Sequence, residues 1–208
     1  MQISLNGAGK KFRTEWIFKE LNYVFSKPGP YAILGANGSG KSTLLKIISG
    51  YGSLSSGGIQ WQLNQQAIER NDIYTHVSLC APYMELPEEF TLEELLRFHF
   101  AFKKPLHQLK LAEMISLAGL EKSSGKQFKV FSSGMKQRVK LALSFFSDTP
   151  LLLLDEPCTN LDAEGVKWYN ELLQQYTVNR LTIIASNSAH EIEKCKQSIK
   201  LEDYKTIS

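Results

Sequence analysis

Gly35-Ala36-Asn37-Gly38-Ser39-Gly40-Lys41-Ser42, followed by Thr43, carries the spacing G-x-x-x-x-G-K-[ST]. Residues of these types in this order make a cradle for phosphate. The glycines let the backbone take turn conformations closed to residues with a Cβ, so that successive N–H groups converge on anionic oxygen. Lys41 can reach β- and γ-phosphates as a point charge, and the Ser42 hydroxyl can ligate Mg²⁺. A nucleoside triphosphate is the expected ligand. A second chemical pair, Asp155-Glu156, stands far downstream before Pro157. Asp155 is the expected partner of Mg²⁺ through water, and Glu156 is placed to orient or deprotonate an attacking water. Such a pair alone reads equally well as two helix-capping acids; the phosphate loop upstream tips the reading toward chemistry.

These residues need particular elements to hold them. Tyr31-Ala32-Ile33-Leu34, entered from Pro28-Gly29-Pro30, is a short apolar run expected to be a buried strand. Thr43 to Ile48 has helix-compatible apolar content, which completes the order strand, glycine loop, helix and places the loop at a helix N-terminus. Leu151-Leu152-Leu153-Leu154 follows Pro150 and reads as a central parallel strand, buried on both faces, that delivers Asp155 and Glu156 at its carboxyl end. Further strands are expected near Ile3 to Asn6, Leu21 to Phe25, Ile59 to Leu63 and Thr75 to Cys80, with a turn-rich connection from Gly52 to Gly58. From Thr91 to about Lys122 the pattern is helical. Thr91 and Glu94 form a capping box there, and Leu92, Leu95, Leu96, His99 and Phe102 recur at helical spacing. Phe98, Phe100 and Phe102 are expected in a core or an interface.

Composition sets bounds. A chain of 208 residues with 43% hydrophobic and 22% charged content suits one globular unit. A net charge of +3 is too small and too dispersed to argue for nucleic acid, which is not expected as a partner. Cys80, Cys158 and Cys195 are far apart, with no C-x-x-C pair and no histidine at zinc spacing, so neither a disulfide framework nor a metal site is expected from them, and a reducing compartment fits. The first residues show no secretory pattern, and no apolar run approaches the roughly 20 residues of a membrane helix.

Between the two chemical motifs lies Phe131-Ser132-Ser133-Gly134-Met135-Lys136-Gln137-Arg138-Val139, leading into the helix-like Lys140 to Phe146. This segment resembles the signature of the ATP-binding cassette family, usually written LSGGQ and here spelled FSSGM. Phe12 falls where that family sets an aromatic ring against adenine, and Asn160-Leu161-Asp162 resembles the loop after its acidic pair. The resemblance covers nearly the whole chain. It implies an α/β P-loop NTPase of the ABC type: a parallel-sheet core with an antiparallel β subdomain and an inserted helical subdomain. The whole of 1–208 would form one domain, with residues 1–81 and 148–208 as core and about 82–147 as the helical subdomain. It also implies ATP and Mg²⁺ as ligands and a second cassette subunit, expected as a homodimer. Ser132 and Gly134 of one copy would then contact the γ-phosphate held by the phosphate loop of the other. With no membrane segment in the chain, transport would require a separate transmembrane permease, with this subunit peripheral on the cytoplasmic face.

Two positions depart from the family pattern. The glutamine that contacts Mg²⁺ and faces the membrane partner is replaced, counting back from Thr91, by Pro82, which has no carboxamide. The switch histidine is replaced by Asn187, an amide with a shorter reach that can still donate to the γ-phosphate but cannot become a cation, while His190 is out of register. Slow hydrolysis is expected, with Glu156, Lys41 and Asn187 as the catalytic set. The docking surface for a permease is expected between Pro82 and Glu89, with Tyr83, Met84, Leu86 and Phe90 as apolar anchors and Glu85, Glu88 and Glu89 as an acidic rim. Three readings stand open at this point: the ATPase subunit of an exporting ABC transporter, which is favoured; a soluble cassette ATPase outside transport; and a binding-only regulatory module.

Overall fold

The computed structural model describes residues 1–26 and 29–205, so Pro28 of the expected turn before the first buried strand lies outside the described residues. The apolar runs form two sheets. An antiparallel sheet in the order β2-β1-β4-β5 is built from β1 (Gln2–Phe12), β2 (Glu15–Ser26), β4 (Ser56–Leu63) and β5 (Gln66–Ile68). A parallel sheet in the order β6-β7-β8-β3-β9 contains β3 (Tyr31–Leu34), β6 (Val77–Cys80), β7 (Leu151–Asp155), β8 (Leu181–Ala185) and β9 (Gln197–Lys200). Because its strands are parallel, the residues that follow β3, β6, β7, β8 and β9 all emerge along one edge, where an open α/β sheet gathers ligands. The central parallel strand expected at Leu151 to Leu154 is found, paired with β6 on one side and β8 on the other.

The helices are α1 (Lys41–Ile48), α2 (Leu92–Phe102), α3 (Leu111–Leu117), α4 (Ser133–Phe145), α5 (Ala163–Tyr176) and the short α6 (Ala189–Ile192). The capping box of α2 is present: the Thr91 side chain accepts from the Glu94 N–H, and the Glu94 carboxylate accepts from the Thr91 N–H at 2.8 Å. Two expectations are corrected. The helical pattern from Thr91 to Lys122 is broken after Phe102, because Pro105 cannot continue a helix, and resumes only at α3. The expected strand at Thr75 starts two residues later; Ile73–His76 is a single 3₁₀ turn.

The core divides along the parallel sheet. Leu151, Leu153 and Ile183 pack with α1 and the antiparallel sheet, including Ile3, Phe18, Leu44 and Ile48. Leu152, Leu154 and Ile184 pack with α2 to α5, including Leu95, Val139, Phe145 and Leu172. This is the period-two alternation of a strand buried on both faces. Among the phenylalanines expected in a core or interface, Phe100 is half-buried against the second cluster, while Phe98 and Phe102 are exposed, Phe102 by 77%. On α2, Phe98 stacks edge to face with Phe90, which precedes the helix, and with Phe102, at centroid separations of 5.8 and 5.3 Å. Arg180, buried just before β8, donates to the carbonyls of Phe145 and Ser144 and to Thr149 Oγ1, so its cation sits on the C-terminal carbonyls of α4, where the helix dipole favours it.

Candidate active site

The glycine loop joins β3 to α1. Gly40, at φ 105°, is the N-cap of α1, and a Cβ there would collide with Ile17, so both the backbone conformation and the packing demand glycine. The loop is held from outside as well. Asn187, which follows β8, accepts from the Gly35 N–H through Oδ1 at 3.2 Å and donates through Nδ2 to Asn37 Oδ1 at 3.5 Å. Glu202, which follows β9, accepts from the Ala36 N–H at 2.6 Å. That bond, ahead of the nearby Lys41 charge, holds the Glu202 carboxyl below its ordinary range.

Lys41 is buried and donates to the loop's own carbonyls, Gly35 O at 2.6 Å and Ala36 O at 3.2 Å; among the described residues it has no carboxylate partner. A buried cation without a counter-ion is costly, so this one is poised for an anionic ligand. Ser39 Oγ and both carboxylate oxygens of Asp155 are also buried without a hydrogen-bond partner. Burial pushes the Asp155 carboxyl above its ordinary range; Ser42 pulls it back, Glu156 adds to the rise, and Lys41 and Lys46 oppose it. Ser42 is near enough to temper that shift, yet neither Asp155 oxygen receives a hydrogen bond of regular geometry. A buried, unsatisfied carboxylate beside a serine hydroxyl is the donor set a hard divalent cation such as Mg²⁺ uses, so these residues fit that ion.

Glu156 has a left-handed backbone, φ 44°, unusual for a glutamate, and is fixed by its N–H donating to Ala185 O at 2.9 Å. A strained position held by its neighbours is a common feature of functional sites. Its side chain lines a cavity of about 330 Å³ together with Phe12, Ile17, Asn37, Gly38, Gly40, Lys41, Ser42 and Thr43. Phe12, 54% exposed at the end of β1 under the Lys10 ammonium, therefore lies on the same cavity as the glycine loop. A larger concavity of about 560 Å³ on the antiparallel sheet is lined by Gly52 to Leu54, β4, β5, Glu69 and Arg70, and the Arg70 guanidinium there donates to the Gly50 and Gly52 carbonyls.

Ser132 and Gly134 are not on this cavity. Ser132 is the N-cap of α4, its hydroxyl accepting from the Met135 N–H at 3.3 Å, and Gly134 passes the Asn160 carbonyl so closely that a Cβ would sit 3.0 Å from it. Behind them Gln137, buried on α4, donates to Pro157 O at 2.6 Å and ties that helix to the turn after Glu156. Pro82 follows β6, its carbonyl accepting from Lys140 at 3.2 Å. The next residue, Tyr83, lies under the Lys46 ammonium of α1 at 3.9 Å from the ring centroid. Met84, Glu85, Leu86 and Glu88 line a groove of about 480 Å³ with Phe128, Lys136 and Lys140, and Glu88 pairs with Lys136 at 2.7 Å. Glu202 and Gln137 were not legible as site residues: the first is 166 positions from its partner, and the second lies on a helix face whose burial no local pattern announces.

A strand, glycine loop and helix facing two carboxylates on a parallel strand of the same sheet define a P-loop nucleotide-binding fold of the ABC ATPase type. The chain belongs to the ABC transporter family, whose model matches residues 18–159, and it is accordingly an ATP-binding ATPase subunit of an ABC transporter. It is 30% identical to the uncharacterised ABC transporter ATP-binding protein YybJ of Bacillus subtilis, over 88% of this chain and 83% of that one. With the cytochrome c biogenesis ATP-binding export protein CcmA of Vibrio cholerae the identity is 31%, over 72% of this chain and 73% of that one. The dimeric structure of MJ0796, a bacterial ABC transporter cassette, superposes with a TM-score of 0.82 at 19% identity, covering 95% of this chain and 93% of that one.

Proposed function

We propose that this subunit powers export through a separate transmembrane permease, working as a pair of cassettes on the cytoplasmic face of the membrane. The carrying observation is the convergence of an unpaired buried Lys41, an unsatisfied buried Asp155 and the strained Glu156 at one edge of the parallel sheet. In this reading the N–H groups from Gly38 to Thr43 and the Lys41 ammonium bind the phosphates of ATP, and Phe12 stacks on the adenine. Ser42 and, through water, Asp155 would hold Mg²⁺, which would neutralise phosphate charge. Glu156 takes a proton from the attacking water, and Asn187, anchored on the loop through Gly35, turns its amide to the γ-phosphate. Ser132 and Gly134 serve the site of the second copy. They lie outside the cavity of their own chain, as a contact made across a dimer requires.

Export is favoured by the likeness to a protein named as an export subunit. The groove behind Met84 and Leu86, with its acidic rim, is the proposed seat of the permease. The test is ATP-dependent dimerisation and phosphate release for wild type beside Glu156→Gln. Turnover by the wild type and a trapped dimer for the variant support the reading; a monomer in both, with ATP bound, removes the second cassette from it. Met84→Glu is expected to abolish co-purification with the permease, and unchanged co-purification would remove the groove.

A further inference from the structure

The fold brings together what the spacing of the cysteines did not foretell. Cys158 lies in the turn after Glu156, and His190 and Glu191 lie on α6, beyond β8. Cys158 Sγ, a carboxylate oxygen of Glu191 and a ring nitrogen of His190 all fall within 4.8 Å of one another. Cys158 and Glu191 are buried and His190 is exposed. The set is held from behind. The Cys158 N–H donates to Glu191 Oε1 at 2.7 Å, Tyr169 Oη donates to the Glu191 carbonyl at 3.1 Å, and Ser188 Oγ lies 2.9 Å from His190 Nδ1.

We propose that Cys158, His190 and Glu191 form a site for one thiophilic divalent cation of the zinc class, with water as the fourth ligand. Thiolate with imidazole selects such an ion over Mg²⁺, which prefers an all-oxygen shell. On binding, the Cys158 thiol releases its proton to solvent and the sulfur donates its electron pair to the metal. Thiolate and carboxylate then balance the two positive charges, and no oxidant or reductant is involved. Bond lengths of about 2.0 to 2.3 Å put tetrahedral ligand atoms closer together than the present spread. His190, exposed on a short helix, is the ligand able to swing in. Since Cys158 is two residues past Glu156 and His190 three past Asn187, the bound ion would staple together the neighbouring segments that follow β7 and β8.

The test uses the full chain, reduced and stripped of metal, titrated with Zn²⁺ alone against a chromophoric chelator and separately with Co²⁺. One equivalent bound, with a thiolate-to-cobalt charge-transfer band, is expected. His190→Ala should weaken binding about tenfold or more, and Cys158→Ser should lose the band. His190 is exposed, so its variant tests the site even if the buried Cys158 variant does not fold. No binding by the wild type, or equal affinity in wild type and His190→Ala, would overturn the assignment.

Discussion

The head of α1 and the head of α4 are both glycine-bearing helix starts, yet they are finished differently. At the first, Lys41, Ser39 and Asp155 are buried with charge or hydrogen-bonding capacity unmet, and Asn187 and Glu202 brace the loop from outside. At the second, Ser132 has spent its hydroxyl on Met135, and Gly134 faces a backbone carbonyl of its own chain. One end keeps polar capacity free in the interior; the other is satisfied by groups of its own chain. Unmet polar capacity in the interior therefore separates a binding site from a helix start better than the presence of glycine and serine does.

The strongest way to break this comparison is Lys41→Ala. Phosphate release is expected to fall about 10³-fold with ATP binding weakened in the isolated chain, and unaltered binding would sink the claim that Lys41 waits for an anion. Gly134→Ala comes next: a Cβ pressed on the Asn160 carbonyl should shift the head of α4 and slow turnover about 10²-fold while ATP binding by the monomer stays at the wild-type level. A loss of monomer binding there would show that the two ends are not separable.

Acid should sharpen the contrast further. His99 on α2, half-buried and bonded to Ser147 Oγ at 2.8 Å, has its pKa lowered to about 4, chiefly by desolvation and then by Lys103. The unfolded chain takes up this proton first as pH falls below about 6.5, so the stabilisation present at neutral pH is lost between there and about 4, at up to about 1.4 kcal/mol per pH unit. Thermal unfolding of His99→Gln should be less acid-sensitive over that window; an identical pH profile would exclude His99 as the cause. The smallest effect is expected from Glu202→Gln. The amide oxygen can still accept from Ala36, so ATP affinity should change about twofold, while Glu202→Ala, which leaves that N–H unpaired, should weaken it about tenfold.

The elements that carry the phosphate loop and the acidic pair were legible because each is dictated locally: an apolar run, glycines at a fixed spacing, a strand ending in acids. Phe12, Lys41, Ser42, Thr43 and Glu156 do share one cavity. What the sequence hid depends on long-range closure. Glu202 reaches the loop only because β9 pairs with β3, and Cys158 meets His190 only because β7 and β8 are neighbours. The leucine period runs on past Phe102, but Pro105 ends the helix there, so the period overstates its length. Of the core or interface expected for Phe98 and Phe102, their exposure excludes the core: spacing gives the face of a helix but not which neighbour, if any, covers it.

The alternation of the leucines along β7 has a further consequence for how this molecule can change. Leu152 and Leu154 face one interior, Leu151 and Leu153 the other, and the strand between them acts as a party wall. A methyl lost from Leu152 opens its gap on the side of α4 and α5, and one lost from Leu153 opens it beneath α1. Packing errors are thus kept to the room in which they arise. Such a chain can drift in α2 to α5 while the chamber under the glycine loop keeps its shape.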